Sequence, residues 1–210
     1  MTSHRTRARM VTRLREQGIG DERVLAAMER VPRHRFLDEA LASRGYEDTA
    51  LPIGWGQTLS RPWEVARMTE ALLEVVPDRV LEVGAGSGYQ SAVLAELVGS
   101  VWGVELVPEL AQAGSRSLRR LGYTNVHLRA GDGRTAWAHK APFDAVLVAA
   151  SAEGPPWAIL EQVDEGGIVI APVGEEAGQQ LVRWRRTADG FLEEGLGPCH
   201  FVPLRSETAG

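Results

Sequence analysis

A glycine-rich turn directly follows an apolar run in the first half of the chain. Residues 79–83 are expected to form a buried strand, and Gly84, Gly86 and Gly88 follow with G-x-G-x-G spacing. Glycines here let the backbone bend tightly and approach a ligand, while a helix from about Tyr89 presents free N–H groups to it. A strand, turn and helix of this kind typically binds a nucleotide-like cofactor.

Two acidic residues indicate which cofactor the turn would accept. Glu82 precedes the turn, and Glu105 ends a second apolar run about 20 residues on, where a carboxylate can accept hydrogen bonds from ribose hydroxyls. A carboxylate beside the turn repels a pyrophosphate but attracts the ammonium and sulfonium of S-adenosyl-L-methionine. We therefore predict an S-adenosyl-L-methionine site rather than a nicotinamide site. A glycine turn that only packs a helix on a sheet would explain neither acid.

Composition and length restrict the protein classes further. The 210 residues are 44% hydrophobic and 24% charged, as expected for one globular domain. The sequence has no apolar run of the ~20 residues that span a bilayer and no secretory signal, so we predict a cytoplasmic protein without membrane contact. Cys199 is the only cysteine and the histidines lack metal-ligand spacing, so we predict no metal.

The charge is distributed unevenly along the chain. Residues 1–15 carry five arginines and no acid, which leaves 18 basic and 28 acidic residues, or a charge of −10, for the remainder. That sign opposes nucleic-acid binding, so we predict no nucleic-acid partner. The arginine-rich start is interpreted as a solvated helix end, with an RNA-binding arm as the alternative. We also expect a monomer.

Strands and helices that alternate along the chain would position the candidate residues. We predict two short helices over 10–28 with Asp21 as an N-cap, an irregular segment over 46–62, and a helix from Trp63 to near Pro77. Strands are predicted at 79–83, 101–105, 125–129, 144–149, 167–172 and 180–185, a last one near 199–204, and helices near 89–97, 108–121 and 156–162.

This order of elements predicts an α/β, Rossmann-like fold. The sheet would be mainly parallel and doubly wound, with an antiparallel edge, N-terminal helices, and the cofactor at the carboxyl ends of the strands. We predict one domain over 1–210, in which 1–60 supply helices and a substrate-side loop and 63–204 form the Rossmann-like core.

Longer segments resemble one enzyme family. Residues 45–60 read GYEDTALPIGWGQTLS and residues 81–90 read LEVGAGSGYQ. Further matches, in the order in which the family has them, lie at 31–36, 121–126, 131–133, 141–144, 166–174 and 201–204. Over about residues 10–204 the chain resembles the bacterial protein-L-isoaspartate O-methyltransferases. The resemblance implies an S-adenosyl-L-methionine-dependent α/β fold. It also implies methyl transfer to the α-carboxylate of an isoaspartyl residue in a peptide or protein, with a succinimide forming afterwards.

The resemblance also implies a catalytic role for Ser60, whose hydroxyl would reach the acceptor carboxylate. That carboxylate, with a pKa near ~3.5, is ionised at neutral pH, so the reaction requires no general base. An N-cap of the helix that follows Pro62 is the alternative role for Ser60.

Asp132, between two glycines, would reach the adenine amino group or hold the loop that does so, with an ordinary Asp-Gly turn as the alternative. Glu82 is expected to face the methionine end of the cofactor, and Tyr89 to touch the ligand or lie in the core. The predicted cofactor-binding set is Gln57, Thr58, Glu82, Gly84, Gly86, Ser87, Gly88, Glu105, Leu106, Gly131, Asp132 and Gly133.

Two segments depart from the usual family pattern where a substrate peptide would pass, namely 61–64, which reads Arg-Pro-Trp-Glu, and 149–156. The second hypothesis is therefore a peptide-tailoring enzyme that esterifies an aspartate side chain of a ribosomal peptide to give an aspartimide. Arg61 would grip an acidic peptide or simply lie at the surface. Hypotheses from different functional classes are a nucleic-acid methyltransferase, a non-catalytic cofactor-binding protein and a nicotinamide oxidoreductase.

Overall fold

The structure, a computed structural model, describes residues 4–175 and 177–206. In chain order the elements are α1 (His4–Glu16), α2 (Glu22–Arg30), β1 (Leu51–Gly54), β2 (Gln57–Leu59), α3 (Pro62–Leu72), β3 (Arg79–Val83), α4 (Tyr89–Ala95), β4 (Ser100–Glu105), α5 (Pro108–Arg120), β5 (Val126–Ala130), β6 (Phe143–Val148), α6 (Trp157–Leu160), β7 (Val163–Val173), β8 (Gln180–Thr187) and β9 (Gly190–Pro198). Short 3-10 segments occur at Arg33–Phe36, Glu39–Arg44, Leu73–Val75 and Ala138–Lys140.

Within these residues the main sheet has seven strands, in the order β5-β4-β3-β6-β7-β8-β9. Neighbours from β5 to β7 run parallel, whereas β8 runs antiparallel to both β7 and β9. The chain proceeds outwards from β3 in both directions, so the loops after β3, β4 and β6 meet at the carboxyl edge of the sheet. The predicted Rossmann-like, mainly parallel sheet with an antiparallel edge is confirmed.

Both faces of the central strands are buried. Ala145 and Leu147 on β6 belong to one hydrophobic cluster, and Val146 and Val148 belong to the other. This alternation is the two-residue period of a strand covered on both sides. The first cluster also contains residues of α1, α2 and α3, so the N-terminal helices share their core with the sheet.

The arginine-rich start contributes directly to packing within the described chain. Arg7 Nη1 donates to the carbonyls of Glu29 and Arg30 at 3.1 Å, at the C-terminal end of α2 where helical carbonyls lack partners. Arg13 Nη2 donates to the carbonyl of Tyr46 at 2.7 Å. Asp21 caps α2 as predicted, since its Oδ1 accepts from the backbone N–H of Arg23 at 2.8 Å.

The segment predicted to be irregular contains a small hairpin. β1 and β2 pair antiparallel, and Trp55 and Gly56 form the two-residue connection between Gly54 and Gln57. Pro52 and the two glycines suggested a loop, but positive φ values at both connecting residues are what a primed hairpin turn requires.

The prediction of a last strand near 199–204 is wrong. The last strand is β9, paired with β8 from Thr187↔Gly190 to Gln180↔Pro198, while 199–204 holds only an isolated bridge between Ser151 and Pro203. The strand was missed because β9 lies at the sheet edge and most of its residues are exposed, so it lacks an apolar alternation. None of the helices in the described ranges has the length and apolar character of a membrane span.

Candidate active site

The turn between β3 and α4 has the conformation that only glycine adopts readily. Gly84, Gly86 and Gly88 have φ values of 83°, 55° and 90°. The backbone N–H groups of Gly84 and Ala85 donate to the carbonyl of Val104 at 2.9 and 3.1 Å. The turn is therefore fastened to the neighbouring strand β4 while its remaining N–H groups lie near the start of α4.

Glu105 joins the turn to the end of β4. Its Oε2 accepts from the N–H of Gly86 at 2.8 Å and its Oε1 accepts from the N–H of Val107 at 2.9 Å. The carboxylate is almost completely buried, yet Glu105 and Leu106 line the cavity beside the turn. Each carboxylate oxygen has a further lone pair, so the same side chain can accept hydrogen bonds from a ribose.

Glu82 lies on the other side of the turn and points into the protein. Its carboxylate accepts a short hydrogen bond from the Ser91 hydroxyl in α4, and its second oxygen has no partner among the described residues. Burial raises the pKa of Glu82 to about 7, and the nearby charge of Glu105 acts in the same direction. Glu82 is not among the residues that line the cavity, so its contact with the methionine end of the cofactor stays a prediction.

The Gly131–Gly133 loop closes the cavity on the β5 side. Gly131 and Gly133 line it, and a Cβ on Gly133 would lie 2.3 Å from Val83 Cγ1, so only glycine fits. Asp132 Oδ1 accepts from the N–H and the Nε of Arg134, both at 2.9 Å. These bonds are local, so they fit both the loop-holding role of Asp132 and an ordinary Asp-Gly turn, and contact with adenine stays a prediction.

These parts enclose a cavity of about 150 Å³ at the carboxyl edge of the sheet. Its lining also includes residues of the β1–β2 hairpin, with Gln57 and Thr58 among them. A Cβ on Gly86 would lie 3.1 Å from Ile53 Cδ1, so the glycine allows the hairpin to approach the turn. Ser87 lines a small recess beside Gly84 and Gly86 rather than this cavity, and its buried hydroxyl has no partner in the described chain. Two features therefore fit an adenosyl amino-acid cofactor: a turn in which only glycine leaves room for the ligand, and a buried hydroxyl without a partner.

Tyr89 and Gln90 begin α4, and their side chains are buried in the protein interior. Tyr89 is fully buried, with its ring 5.7 Å from that of Phe36. Gln90 Nε2 donates to Thr69 Oγ1 at 2.9 Å. The core position for Tyr89 is therefore the correct one of the two alternatives.

A second cavity, of about 470 Å³, adjoins the first. Thr58, Ala149, Val202 and Pro203 line both, so the two cavities share a wall. Ser60 lines the larger cavity and also a small recess beside Gly84 and Gly86. The larger cavity has room for a peptide segment next to the glycine turn.

Ser60 is not the N-cap of α3. The cap residue is Arg61, whose side chain makes no capping bond, and Pro62 occupies the first turn. The backbone N–H of Trp63 donates instead to Asp48 Oδ1 at 3.1 Å. Proline has no N–H to cap, which removes one reason for a serine before it. The Ser60 hydroxyl is therefore not used to begin the helix, and the capping alternative is wrong.

Arg33 holds the Ser60 segment from beneath, a role the sequence did not reveal. It is fully buried, and its Nε donates to the carbonyl of Gly45 at 2.8 Å and its Nη2 to the carbonyl of Ser60 at 2.7 Å. Its guanidinium lies 4.8 Å from the centre of the Tyr89 ring. Burial lowers the pKa of Arg33. The planar guanidinium presents both donors in a fixed geometry, which the rotating ammonium of a lysine does not.

Residues 199–204, here called the C-terminal strap, pass over both cavities. The Gln179 amide accepts from the N–H of Phe201 at 2.6 Å and donates to its carbonyl at 2.9 Å. Ser151 bonds the strap through its backbone, to the Val202 carbonyl and the Leu204 N–H, both at 2.8 Å. The strap was the predicted last strand; its backbone instead bonds to a side chain and a loop.

The unusual segment 61–64 contributes to the same arrangement. Glu64 is buried and its Oε1 accepts from the N–H of His200 at 3.1 Å, while burial raises its pKa. Arg61 Nε lies 3.5 Å from Glu64 Oε1, and its guanidinium lies 4.8 Å from the centre of the Trp63 ring. Arg61 therefore has partners within the protein. The described residues contain no group of three or more His, Cys, Asp and Glu side chains that could hold a metal ion.

Replacing Glu82 with glutamine should change how stability depends on pH. The folded pKa of about 7 lies above the ordinary value of 4.5, so the folded protein retains a proton that the unfolded chain has lost. Wild-type stability therefore falls as pH rises from about 4.5 to about 7, by on the order of 3 kcal/mol. In urea unfolding at pH 5 and pH 8, Glu82→Gln should lack this loss. Equal pH slopes in the two proteins would contradict it.

Replacing Arg33 with lysine should lower turnover without weakening the binding of the cofactor. A lysine ammonium lacks the planar fork that bonds both carbonyls, so the Ser60 backbone loosens, and we expect kcat to fall about tenfold at unchanged Kd for S-adenosyl-L-homocysteine. Arg13→Lys is the matched control, because Arg13 makes a similar 2.7 Å bond to a carbonyl of another residue, Tyr46. Arg33→Lys should lose more thermal stability, because Arg33 is fully buried and bonds two carbonyls, whereas Arg13→Lys should keep its kcat. A wild-type kcat for folded Arg33→Lys would remove this role.

Comparison with known proteins identifies the family. The sequence profile described as Protein-L-isoaspartate(D-aspartate) O-methyltransferase (PCMT) matches residues 5–209. The chain is 55% identical over 207 residues to a protein-L-isoaspartate O-methyltransferase of Stenotrophomonas maltophilia (strain R551-3), covering 98% of this chain and 92% of that protein. The corresponding protein of Xanthomonas oryzae pv. oryzae (strain PXO99A) is 54% identical over the same shares.

A solved structure shows the same likeness in three dimensions. It is a protein-L-isoaspartate O-methyltransferase from Plasmodium falciparum in complex with S-adenosyl-L-homocysteine, 25% identical to this chain. The superposition has a TM-score of 0.82 and covers 96% of this chain and 99% of that one. The chain belongs to the protein-L-isoaspartate(D-aspartate) O-methyltransferase family.

Proposed function

We propose that this chain is an S-adenosyl-L-methionine-dependent carboxyl methyltransferase that esterifies the α-carboxylate of L-isoaspartyl residues in peptides and proteins. The observation that carries the proposal is the shared wall between the cavity beside Glu105 and the larger cavity that Ser60 lines. Family membership supplies the reaction, and the two adjoining cavities supply separate places for the cofactor and the peptide. When bound, S-adenosyl-L-methionine supplies a methyl group on a sulfonium.

The residues of the cofactor cavity divide the cofactor between them. Glu105 would accept from the ribose hydroxyls. The Ser87 hydroxyl, which is buried and without a described partner, lines the small recess beside Gly84 and Gly86 and would donate there to a polar group of the amino-acid end. Gly131, Asp132 and Gly133 would form the adenine side. Glu82 would act indirectly, through the position of α4, which its bond to Ser91 fixes.

The acceptor needs positioning rather than activation. An α-carboxylate is ionised at neutral pH, so no proton has to be removed before it attacks a methyl group. Ser60 would donate its hydroxyl hydrogen to one carboxylate oxygen and leave the other oxygen directed at the cofactor cavity. Such alignment can contribute up to ~7–11 kcal/mol to rate acceleration.

Two flanking segments would exclude water from the junction of the cavities. The β1–β2 hairpin lines the cofactor side with Ile53 and Thr58, and the C-terminal strap lines both sides with Val202 and Pro203. Water at this junction would compete with the carboxylate for hydrogen bonds. After release, the ester would close to a succinimide without help from the protein, and hydrolysis of that ring would return some normal aspartate.

The alternative of a peptide-tailoring enzyme is not favoured. Relatives that cover 98% of the chain are named protein-L-isoaspartate O-methyltransferases, and the departing residues Arg61 and Glu64 bond within the protein. The expectations of a monomer and of a cytoplasmic location stay predictions.

Methyl transfer to matched peptides tests the function. We expect the protein to methylate a peptide containing one L-isoaspartyl residue and to leave the otherwise identical aspartyl peptide unmodified, because only the isomer presents an α-carboxylate on a flexible branch. The measurement is incorporation of labelled methyl from S-adenosyl-L-methionine, followed by release as methanol. Preference for the aspartyl peptide would support the aspartimide hypothesis, and cofactor binding without transfer to either peptide would indicate a non-catalytic protein.

Ser60→Ala tests the acceptor contact. A hydrogen bond to a charged group contributes about 1.5–3 kcal/mol, so kcat should fall about 10- to 150-fold. The affinity for S-adenosyl-L-homocysteine should stay within about twofold, since Ser60 does not line the cavity beside Glu105. Thr58→Val is a useful comparison, because Thr58 lines both cavities and its loss should affect both ligands. Unchanged kcat in Ser60→Ala would remove the serine from the mechanism.

A further inference from the structure

Trp55 occupies the tip of the β1–β2 hairpin in an unusual state. The residue is 57% exposed, and its φ of 51° lies in the left-handed region. Gly54 and Gly56, which flank it, have φ values of 91° and 70°. Three consecutive residues therefore hold the indole on a backbone that bulky L-amino acids rarely adopt.

Neither the exposure nor the backbone conformation of Trp55 favours folding. A tryptophan side chain in water forgoes the burial that stabilises most large aromatic residues, and positive φ adds steric cost at its Cβ. Trp55 belongs to neither hydrophobic cluster of the described chain, whereas its neighbour Ile53 packs against the first one. Backbone strain of this kind clusters at ligand clamps, where binding compensates for it.

The hairpin brings the indole to the cofactor cavity. Ile53 is close enough to the glycine turn to contact any Cβ on Gly86, so the hairpin lies directly on that turn. Trp55 lines the same cavity as Glu105 and Leu106, at the end of β4. An exposed aromatic ring thus stands beside the residues to which we assign the ribose.

We propose that Trp55 covers the nucleoside half of the bound cofactor, with its indole packed on the adenosine. This inference rests on the proposed function, because it assigns the nucleoside to the cavity beside Glu105. The left-handed turn keeps the ring extended over the cavity, and the ligand supplies the apolar contact that the protein does not. The ligand class is a purine nucleoside with a free face, so Trp55 determines affinity for the cofactor and takes no part in methyl transfer.

The test measures binding of S-adenosyl-L-homocysteine by calorimetry to the full chain. Trp55→Asn removes the ring and introduces the non-glycine residue that best tolerates the left-handed region. Stacking of an aromatic ring on a base is strong enough for the Kd to rise about tenfold. The melting temperature without ligand should equal or exceed that of the wild type, since an exposed ring and a strained backbone are both relieved. Trp55→Phe should recover most of the affinity.

Two further variants serve as controls. Trp157→Asn removes another tryptophan of similar exposure, 59%, which contacts Phe191 and lines neither cavity; its Kd should not change. Val76→Asn relieves positive φ at an exposed residue elsewhere. It should raise the melting temperature and leave the Kd unchanged. These variants separate loss of a ring at the cavity from general effects of surface substitution and backbone relief.

The outcomes distinguish this inference from the proposed function. If the wild type does not bind S-adenosyl-L-homocysteine, the proposed function fails. If the wild type binds and Trp55→Asn binds within twofold of it, the role of Trp55 is overturned. It is also overturned if Trp55→Phe is as weak as Trp55→Asn, which would indicate a structural effect. A Kd for 5′-methylthioadenosine that is unchanged in Trp55→Asn would place the ring over the amino-acid half and contradict the proposal.

Discussion

The carboxylate of Glu105 makes the hydrogen bonds on which the arrangement of the site depends. It accepts from Gly86 in the turn after β3 and from Val107 in the loop after β4, so two neighbouring strand ends are tied together by one side chain. These hydrogen bonds hold the turn in a conformation that glycine allows. The position of the turn then sets where α4 begins. Because the bond is formed by a carboxylate at the cavity wall, the group that organises the backbone is also available to a ribose.

Several segments from distant parts of the sequence close the site above this frame. The Ser60 segment is held from below by the buried Arg33, the hairpin lies on Gly86, and the strap is fixed by Gln179 and Ser151. The hairpin and the strap line both cavities, and Ser60 lines the larger one. A change in the strap would therefore reach both ligands, whereas the Arg33 contact acts on the acceptor side only.

The central strands and the glycine turn could be predicted closely because their signals are local. The run over 79–83 coincides with β3, since three of its five residues are apolar, as in a buried parallel strand, and a glycine follows at once. β9 and the hairpin could not be predicted in this way. Residues in β9 are mostly exposed, and β1 and β2 contain proline and glycine, so their pairing follows from partners and turn geometry rather than from apolar periodicity.

The sequence alone determined the fold class, the turn, the acid at the end of β4 and the family, because each is encoded by residue type at fixed short spacing. Only the tertiary structure decided that Ser60 does not cap α3, that Glu82 points towards Ser91, and that Arg33, Gln179 and Glu64 hold segments they are remote from in the chain. The reason is physical. Direction of a side chain, burial and long-range hydrogen bonds depend on how elements pack, and no spacing within the sequence specifies them.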